Sequence, residues 1–383
     1  MRYVLFGAGQ QGRAIAFDLL RDPESEIVIV DSNPEQLDEV CSWLDDPRVE
    51  PEPIDAENRE ECRVVMEDMD VAINALPYRF NLLLTEDAIE MKKHLVDLGG
   101  NNSVVEQQLE LDSAAKEAGI VVIPDCGLAP GLAVLLAADA CARLTRVDSL
   151  NIRVGGLPQK AQGDFGYMLT FSVEGLLNEY SEPCLVMRGG ELLSVEPLTD
   201  IEPIRFGEPF SELECFNTSG GLSTLPRTLG HKVTNMDYKT IRYPGHGEQM
   251  RRFYEEGMFS REPKVAENGS TYVPREQLAA LIREQCSYQE ADVVLLRVSA
   301  EGMKNNIPLV VKTQIVDRFD RENGITAMMR MTGYPTSIIA SMIAKGQVEA
   351  RGVVPLERSV PAEIFRAELA HRDIQLEEMV KAL

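Results

Sequence analysis

Short apolar runs and amphipathic stretches take turns along the first third of the chain. The amphipathic stretches predict helices, most clearly over residues 34–44, 57–68, 82–92 and 103–118. The runs between them predict six strands, at residues 3–6, 27–30, 49–55, 70–75, 94–98 and 120–123. Strands that alternate with helices are typical of an α/β fold with a doubly wound parallel sheet, whose binding site lies at the carboxyl ends of the strands.

The pattern changes near residue 148, where longer stretches alternate apolar and polar positions. Strands are predicted at residues 149–154, 212–216, 237–243, 293–300, 309–319 and 325–331. Only a few helices are predicted among them, at residues 172–180, 246–257 and 275–286. This region is therefore expected to be an α+β domain with an open, mixed, largely antiparallel sheet. Three further helices are predicted: one that begins at residue 336, one at residues 361–371 and one at residues 375–382.

The change of pattern predicts two domains. Residues 1–127 form the first, which helices within residues 335–383 complete. Residues 128–334 form the second, to which substrate binding and dimer contacts are assigned. A chain of 383 residues commonly forms two domains, and 44% hydrophobic residues are sufficient for two cores.

A glycine-rich turn joins the first strand to the first helix. Its motif is Gly-x-Gly-x-x-Gly, formed by Gly7, Ala8, Gly9, Gln10, Gln11 and Gly12. Gly7 permits the tight turn, Gly9 allows backbone amides to approach a pyrophosphate, and Gly12 lets the helix lie close to the sheet. Asp31 ends the next strand, at a distance along the chain where a carboxylate accepts hydrogen bonds from both ribose hydroxyls of an adenosine. The motif therefore predicts a Rossmann domain that binds a dinucleotide.

The residue at the ribose decides between the two nicotinamide dinucleotides. Asp31 would repel the 2′-phosphate of NADP, and positions 32–36 contain no Arg to bind it, so NAD is the predicted cofactor. Asp55 follows the third strand and is a candidate for contact with adenine, although it also fits an exposed turn. The predicted cofactor contacts are Gly7, Gly9, Gln10, Gln11, Gly12, Asp31, Ser32, Asp55, Ala75, Leu76, Pro77 and Gly99.

Charge and cysteine content limit the expected partners. The net charge of −24 disfavours nucleic acid and anionic membranes and attracts a cationic substrate, although it equally fits solubility or salt adaptation. No apolar run reaches the roughly 18 residues of a membrane-spanning helix. Seven scattered cysteines without Cys-x-x-Cys are typical of reduced thiols in a cytoplasm. Four dispersed histidines predict no metal site.

Seven longer segments have a common resemblance. They are residues 74–81, 96–100, 124–131, 154–158, 171–177, 216–221 and 238–246. In this order they resemble the saccharopine dehydrogenase family over nearly the whole chain, and within it the lysine 6-dehydrogenases. The resemblance implies NAD-dependent removal of the ε-amine of L-lysine with release of ammonia. The product would be the 6-semialdehyde, which cyclises to 1-piperideine-6-carboxylate, and the enzyme would be a homodimer.

Two positions depart from the saccharopine reductases of that family. Those enzymes typically have Asp immediately before Pro130 and Cys at the position of Gly155, whereas this chain has Ala129 and Gly155. The departures favour the lysine-oxidising branch. One alternative is a saccharopine or carboxynorspermidine type of enzyme that acts on a secondary amine. The other is a regulatory dinucleotide-binding protein without turnover.

Oxidation of an amine requires a group that holds the substrate cation and a group that moves a proton. Asp125 is the candidate for holding the amine, with capping of the helix near Pro130 as the alternative. Tyr78 and His246 are the acid/base candidates, His246 because its ordinary pKa lies near working pH. His246 equally fits a cap for the predicted helix at 246–257.

The α-carboxylate of an amino acid requires a cationic partner. Arg242 is the preferred candidate, because its planar guanidinium pairs bidentately with carboxylates. Lys239 is a weaker candidate, because strand alternation places it on the opposite face from Arg242. Thr218 and Ser219, in a glycine-rich loop, are candidates for hydrogen bonds to substrate, although such loops are often only turns.

Overall fold

The computed structural model describes residues 1–266 and 268–383, and the chain forms two compact units. Unit 1 contains Met1–Leu136 and Met329–Ile374, and unit 2 contains Ala137–Met328 and Gln375–Leu383. The bounds expected from the sequence assign all of residues 335–383 to the first domain. The last nine residues instead join unit 2, because they form a strand of its sheet.

The first part of the chain alternates strands and helices as predicted, with a short 3₁₀ turn at Tyr78–Phe80. Its elements are β1 (Arg2–Phe6), α1 (Gln10–Leu19), β2 (Glu26–Val30), α2 (Pro34–Leu44), β3 (Val49–Glu52), α3 (Arg59–Met66), β4 (Val71–Asn74), α4 (Asn81–Met91), β5 (His94–Asp97), α5 (Asn102–Glu110), α6 (Asp112–Ala118), β6 (Val121–Ile123) and α7 (Leu132–Ala142).

The middle of the chain is rich in long strands. Its elements are β7 (Arg146–Pro158), α8 (Val173–Glu179), β8 (Cys184–Arg188), β9 (Glu191–Val195), β10 (Glu202–Ile204), β11 (Leu213–Asn217), α9 (Leu225–Leu229), β12 (Val233–Arg242), α10 (His246–Glu255), β13 (Lys264–Val265), β14 (Thr271–Tyr272), α11 (Pro274–Cys286), β15 (Asp292–Lys304) and β16 (Ile307–Arg318). The last part contains α12 (Ala327–Ala344), β17 (Gly352–Val353), α13 (Leu356–Ser359), α14 (Ala362–Ala370) and β18 (Glu377–Ala382).

Unit 1 is built on a parallel sheet of seven strands in the order β17-β6-β5-β4-β1-β2-β3. The order reverses at β1, which lies between β2 and β4, so this is the doubly wound arrangement that the sequence predicts. The register aligns the carboxyl ends of neighbouring strands, because Phe6 pairs with both Val30 and Asn74, and Asn74 with Asp97. The loops that leave these strands therefore gather at one edge of the sheet.

Unit 2 contains a mixed sheet in the order β10-β11-β12-β7-β15-β16-β18, to which β8 and β9 are joined beside β12. Within this order only β12 and β7 are parallel, so the prediction of a largely antiparallel mixed sheet is confirmed. A tight turn at Asn305-Asn306 connects β15 and β16, and both residues have positive φ. Asn tolerates that conformation, which suits the twist of a hairpin.

Two predictions near the end of the chain are wrong. Residues 325–331 are predicted as a strand, but α12 begins at Ala327 because the carboxylate of Asp292 accepts hydrogen bonds from the N–H groups of Ala327 (2.7 Å) and Met328 (2.9 Å). Residues 375–382 are predicted as a helix, but they form β18 and pair with β16. Both outcomes depend on partners distant in sequence.

Membrane-spanning helices and metal-binding clusters are both absent from the part of the chain that the structure describes. None of its helices is both long and apolar enough to pass through a bilayer. Its His, Cys, Asp and Glu side chains do not assemble in groups of three or more that would hold a metal ion.

Candidate functional site

The glycine turn of unit 1 has the close contacts that its motif predicts. Gly7 has φ of +106°, and a Cβ there would lie 3.0 Å from the carbonyl of Ala75. A Cβ on Gly12 would overlap the carbonyl oxygen of Gly7, so only glycine lets α1 lie this close to the turn. A Cβ on Gly9 would make an ordinary van der Waals contact with the side-chain amide of Gln36, at 3.6 Å. Gly9 is therefore much less crowded than Gly7 and Gly12.

Helix α1 begins directly at this turn, at Gln10. Gly9 occupies the N-cap position and supplies no side-chain cap, and the first turn contains no acidic residue. The first N–H groups of a helix have no partner within it, and the helix dipole favours negative charge at that end. The backbone at Gly9, Gln10 and Gln11 therefore fits a pyrophosphate.

Asp31 lies directly after β2 and fixes the turn. One carboxylate oxygen accepts the N–H of Ala8 (2.9 Å), and the other accepts the N–H of Asn33 (2.9 Å). The side chain is partly exposed, and Ser32 beside it is exposed. A carboxylate held at this point fits the ribose hydroxyls of a dinucleotide.

Asp55 lies in the turn that leads to α3. It is exposed, and its carboxylate accepts the N–H of Glu57 (2.9 Å). This is the behaviour of the turn residue that the sequence also allowed, and contact with adenine stays a prediction.

The loop with Ala75, Leu76 and Pro77 is held by a residue that the sequence analysis does not select. The side-chain oxygen of Asn74 accepts the N–H of Leu76 (3.0 Å), and its amide donates to Asn81 (2.8 Å). Both Asn side chains are buried. Asn74 ends β4, and a buried amide at a strand's carboxyl end is the signal that marks it.

Asp97 organises two further loops and is also absent from the predicted site. One of its carboxylate oxygens accepts the N–H groups of Gly99 (2.7 Å) and Asp125 (3.2 Å). The other accepts the side-chain amide of Gln108 (2.7 Å), which also donates to Thr85 (2.9 Å). Asp97 is fully buried, and burial raises the pKa of its carboxyl, while these donors oppose the rise. It is a positioning residue for the loops that follow β5 and β6.

These loops bring Tyr78, Gly99 and Asp125 together. The carboxylate of Asp125 fills the space where a Cβ of Gly99 would lie, and a Cβ of Gly100 would lie 3.7 Å from the Tyr78 side chain. Asp125 is buried and has φ of +63°, an uncommon conformation for a residue other than glycine. The predicted acid/base and amine-holding candidates of unit 1 are therefore neighbours at the edge where the dinucleotide loops gather.

The alternative role of Asp125, as a cap of helix α7, depends on the partners of the first N–H groups of that helix. The N–H of Leu132 donates to the carbonyl of Gly127 (2.8 Å), and that of Ala133 donates to Leu128 (2.9 Å). Backbone carbonyls thus satisfy two of the groups that a cap would serve. The role of Asp125 in holding an amine stays a prediction.

Unit 2 contains a second cluster of predicted residues, centred on Arg242. Its guanidinium donates to the hydroxyl of Tyr180 (2.8 Å) and lies 4.7 Å from the ring centre of Tyr167. The same Tyr180 hydroxyl lies 3.0 Å from Nε2 of His246. Arg242 and His246 are each 2% exposed. The hydroxyl of Tyr180 therefore connects two predicted site residues, Arg242 and His246. Tyr180 itself is not among the predicted site residues.

His246 does not have the pKa on which its selection as acid/base was based. Nδ1 lies 2.9 Å from the carbonyl of Phe165, so both ring nitrogens have protein partners. Burial, with Arg242 as the second cause, lowers the pKa of His246 to about 3. The ring does not serve as a helix cap either, since α10 has Gly245 at that position without a side-chain bond. The argument from an ordinary pKa was wrong, because the neutral ring is a buried structural partner.

This pKa predicts a dependence of stability on pH. Unfolded His titrates near 6.5, so between that pH and about 3 the unfolded chain binds more protons, and the free energy of unfolding falls as pH falls. The contribution is about 1.4 kcal/mol per pH unit within this window. Denaturant titrations of the wild type and His246→Gln from pH 7.5 to 4.5 should show the steeper decline in the wild type. Parallel curves would contradict the burial of a neutral ring.

Lys239 and Arg242 lie in separate environments, as strand alternation predicts. Lys239 donates to the carbonyl of Asp200 (2.7 Å) and pairs with Glu202 (3.1 Å), so its charge is already compensated. Substrate binding by Lys239 stays a prediction without support from these contacts.

Thr218 and Ser219 lie close to Arg242's face of β12. The hydroxyl of Thr218 lies 2.7 Å from that of Thr240, and both residues are buried. The backbone N–H of Ser219 donates to the carbonyl of Glu179 (3.0 Å). The loop is therefore anchored both to β12 and to the end of α8.

Glu179 and Tyr180 complete the cluster and are absent from the predicted site. Glu179 is half-buried. Burial raises the pKa of Glu179 to about 7, and the charge of Arg242 opposes the rise. The signal in the sequence was an acid and a tyrosine two and three residues after 171–177, one of the segments with family resemblance.

The sheet of unit 1, its glycine turn and Asp31 together define a protein with a Rossmann dinucleotide-binding domain. Comparison with family models makes the class more specific. The model described as the saccharopine dehydrogenase NADP binding domain matches residues 3–123, and that described as the saccharopine dehydrogenase C-terminal domain matches residues 127–374. The chain belongs to the saccharopine dehydrogenase family.

Individual relatives are distant. Saccharopine dehydrogenase [NADP(+), L-glutamate-forming] of Pyricularia oryzae is 22% identical over 273 residues, covering 69% of this chain and 56% of the relative. Mitochondrial alpha-aminoadipic semialdehyde synthase of Mus musculus is 20% identical over 422 residues, covering 92% and 45%. The chain thus spans about half the length of these two relatives.

One solved structure has the same fold over the full length. It is apo histidine-tagged saccharopine dehydrogenase (L-Glu forming) from Saccharomyces cerevisiae, with a TM-score of 0.81, 19% identity and 100% coverage of both chains. This likeness confirms the predicted fold class, an α/β Rossmann sheet with a second mixed sheet.

Proposed function

We propose that the protein is an NAD-dependent oxidoreductase that removes the ε-amino group of L-lysine as ammonia. The resulting 6-semialdehyde cyclises to 1-piperideine-6-carboxylate. The observation that supports an amino-acid substrate is Arg242, a buried guanidinium that no carboxylate of the described residues pairs with. A buried cation without an anionic partner is costly, and the α-carboxylate of a substrate would compensate it.

The glycine turn and Asp31 fit a dinucleotide, because the turn is much less crowded at Gly9 than at Gly7 and Gly12, and Asp31 is fixed beside it. When bound, the nicotinamide accepts a hydride from C6 of the substrate. The chain's own part is to hold the phosphates at α1 and the adenosine ribose at Asp31. NAD is the proposed form, since the Asp31 carboxylate would repel a 2′-phosphate, although the relative from Pyricularia oryzae is named for NADP(+).

The choice of cofactor is testable at Asp31. Asp31→Ser should weaken NADH binding by about 10-fold or more and NADPH binding much less, because the variant loses the ribose acceptor and the repulsion together. Fluorescence titration of both reduced cofactors measures this. Asp31→Asn is the matched variant, since it removes the charge and keeps one of the two oxygen acceptors that hold the turn. An unchanged ratio of the two affinities in both variants would remove Asp31 from the ribose.

The preference for lysine over saccharopine is supported by the backbone at Gly155. A Cβ there would lie 2.6 Å from the carbonyl oxygen of Ile241 and 2.7 Å from its Cβ. A Cys side chain, which saccharopine reductases typically have at this position, does not fit unless the strands shift. This strand geometry and Ala129 are the reasons for proposing a primary rather than a secondary amine.

The residues would divide the work as follows. Asp125 would hold the ε-amine and the cationic character that develops as C6 is oxidised. Tyr78, beside Gly100, is the proposed group for moving the proton from the amine. Asp97 would position the loops of Gly99 and Asp125 through its hydrogen bonds.

The reaction is tested by following reduced cofactor at alkaline pH with L-lysine, ornithine, saccharopine and carboxynorspermidine, each with NAD and then NADP. Turnover of L-lysine with NAD and release of ammonia is the expected result. Activity confined to saccharopine would contradict the argument from Gly155. Binding of NADH without turnover of any amine would instead support a regulatory dinucleotide-binding protein.

The same proposal includes a homodimer in the cytoplasm that has neither nucleic acid nor membrane as partner. All seven cysteines are free thiols in the structure, which agrees with a reducing compartment. Sedimentation equilibrium of the purified chain measures the oligomeric state directly.

A further inference from the structure

The Arg242 cluster contains an anionic group as well as a cationic one. Glu179 is at the end of α8, and the N–H of Ser219 donates to its backbone carbonyl, so its backbone is fixed. Its carboxylate has no hydrogen-bond or ion-pair partner among the described residues. Ion pairs elsewhere in unit 2, such as Arg153 with Asp237 at 2.6 Å, show that this sheet otherwise compensates buried charge directly.

Arg242 is the complementary group. Its Nε donates to Tyr180 and one terminal nitrogen donates to the carbonyl of Ile241 (2.9 Å), which leaves donors of the fork unused within the described protein. Arg242 donates to Tyr180, the residue that follows Glu179 in the chain, yet Arg242 and Glu179 form no ion pair with each other. Two opposite charges that belong to one cluster and do not pair with each other suit a ligand that has both.

We propose that Glu179 binds the α-ammonium group of the substrate while Arg242 binds its α-carboxylate, so that the cluster is a site for the zwitterionic head of an L-α-amino acid. This inference rests on the proposed amino-acid substrate and specifies which end of it unit 2 recognises. The hydroxyls of Thr218 and Thr240 and the ring of Tyr167 border the same cluster. They supply polar and aromatic surface of the kind that fixes a small ligand's orientation.

The alternative ligands have only one of the two charges. A dicarboxylate or a phosphate would satisfy Arg242 but would place a second anion beside Glu179. A simple diamine would satisfy Glu179 but would leave Arg242 without a partner. A ligand with both a carboxylate and an ammonium, as in the head of an α-amino acid, satisfies both groups.

Binding to the wild-type chain provides the first test, and it does not depend on turnover. Calorimetric titrations would compare L-lysine with L-norleucine, which lacks the ε-amine, and with 6-aminohexanoate, which lacks the α-amine. L-Lysine and L-norleucine are expected to bind, and 6-aminohexanoate should bind about 10- to 100-fold more weakly than L-lysine, the range for a lost charge-assisted hydrogen bond. Equal binding of L-lysine and 6-aminohexanoate would overturn the inference.

The variant Glu179→Gln provides the second test. It should weaken L-lysine and L-norleucine by about 10- to 100-fold while leaving 6-aminohexanoate unchanged. Glu174→Gln is the matched control, because it removes a carboxylate from an exposed position on the same helix that pairs with Arg275 at 3.3 Å. Losses for L-lysine and 6-aminohexanoate without a loss for L-norleucine would place Glu179 at the ε-amine, and equal losses for all three ligands would indicate a structural role. Either result would overturn the inference. Unchanged NADH affinity confirms that the variant is folded.

The two proposals fail in different ways. If lysine oxidation is wrong but the head-group site is right, L-norleucine binds to the wild type, Glu179→Gln weakens it, and reduced cofactor does not form with lysine. If the head-group site is wrong but the reaction is right, lysine is oxidised and Glu179→Gln does not distinguish it from 6-aminohexanoate. Failure of every α-amino acid to bind would also overturn the site.

Discussion

Replacing Arg242 with alanine is expected to raise the KM for the amino-acid substrate by about 100- to 1000-fold, with NADH affinity within about twofold of the wild type. The guanidinium is 2% exposed and held by Tyr180 and the carbonyl of Ile241, so it is oriented before substrate arrives. Its loss removes a bidentate, charge-assisted contact from both the bound substrate and the transition state. Such a loss raises KM more than it lowers kcat.

Arg242→Lys distinguishes the shape of the fork from its charge. Lysine keeps the cation but cannot form the paired contact, so its KM should lie between those of the wild type and the alanine variant. Steady-state kinetics with saturating cofactor measures KM, and titration of NADH checks unit 1 independently. An alanine variant with the wild-type KM would exclude Arg242 from carboxylate binding.

The second large effect is expected at Asp97. Asp97→Ala should lower the free energy of unfolding by about 3–5 kcal/mol and reduce kcat at least as strongly as a direct substitution of Asp125. The fully buried carboxylate accepts hydrogen bonds from Gly99, Asp125 and Gln108, and alanine leaves these donors without their acceptor. Denaturant titration measures the stability, and the kinetics report whether the loops still place Asp125.

Asp97→Asn is the matched variant. Its amide keeps one oxygen for the N–H groups of Gly99 and Asp125, but its NH₂ group would face the donating amide of Gln108. Rotation of the Gln108 amide would relieve this conflict and give up its hydrogen bond to Thr85. The asparagine variant should therefore lose about 1–2 kcal/mol, roughly one unsatisfied contact. If both variants were as stable as the wild type, Asp97 would not organise these loops.

The sequence predicts most of unit 1 because its boundaries have local signals. The helix predicted at 34–44 coincides with α2, and Asn33 caps it by accepting the N–H groups of Glu35 and Gln36. The glycine motif likewise acts through neighbours within a few residues. Element type and order in this unit follow from periodicity and caps, which any short window of sequence contains.

The failures depend on contacts between distant residues. The N–H groups of Ala327 and Met328 at the start of α12 donate to Asp292, about 35 residues earlier, and such a partner is not visible in the sequence around residue 327. β17 has only two residues and is a strand solely because it pairs with β6. Periodicity over a few residues does not register such elements, since their stability comes from tertiary hydrogen bonds.

The sequence predicts site residues whose side-chain type or motif already indicates their chemistry. It does not identify residues whose role depends on burial and on hydrogen-bond partners. Arg242 was selected because its planar guanidinium pairs bidentately with carboxylates. Asn74, Asp97 and Glu179 have the residue types of ordinary turns and helix ends, and their importance depends on burial and partners. His246 shows the converse, because its residue type suggested proton transfer and its environment removes the charge.

The path of the chain has a consequence for biosynthesis. The parallel sheet of unit 1 ends with β17 at Gly352–Val353, and the mixed sheet of unit 2 ends with β18 at Glu377–Ala382. The ribosome synthesises the chain from its N-terminus, so one edge of each sheet stays unpaired until β17 or β18 has been made. Exposed edges favour association between nascent chains. A fragment cut at residue 136 would lack β17, an edge strand of its own sheet, and is therefore expected to associate more readily than the full chain.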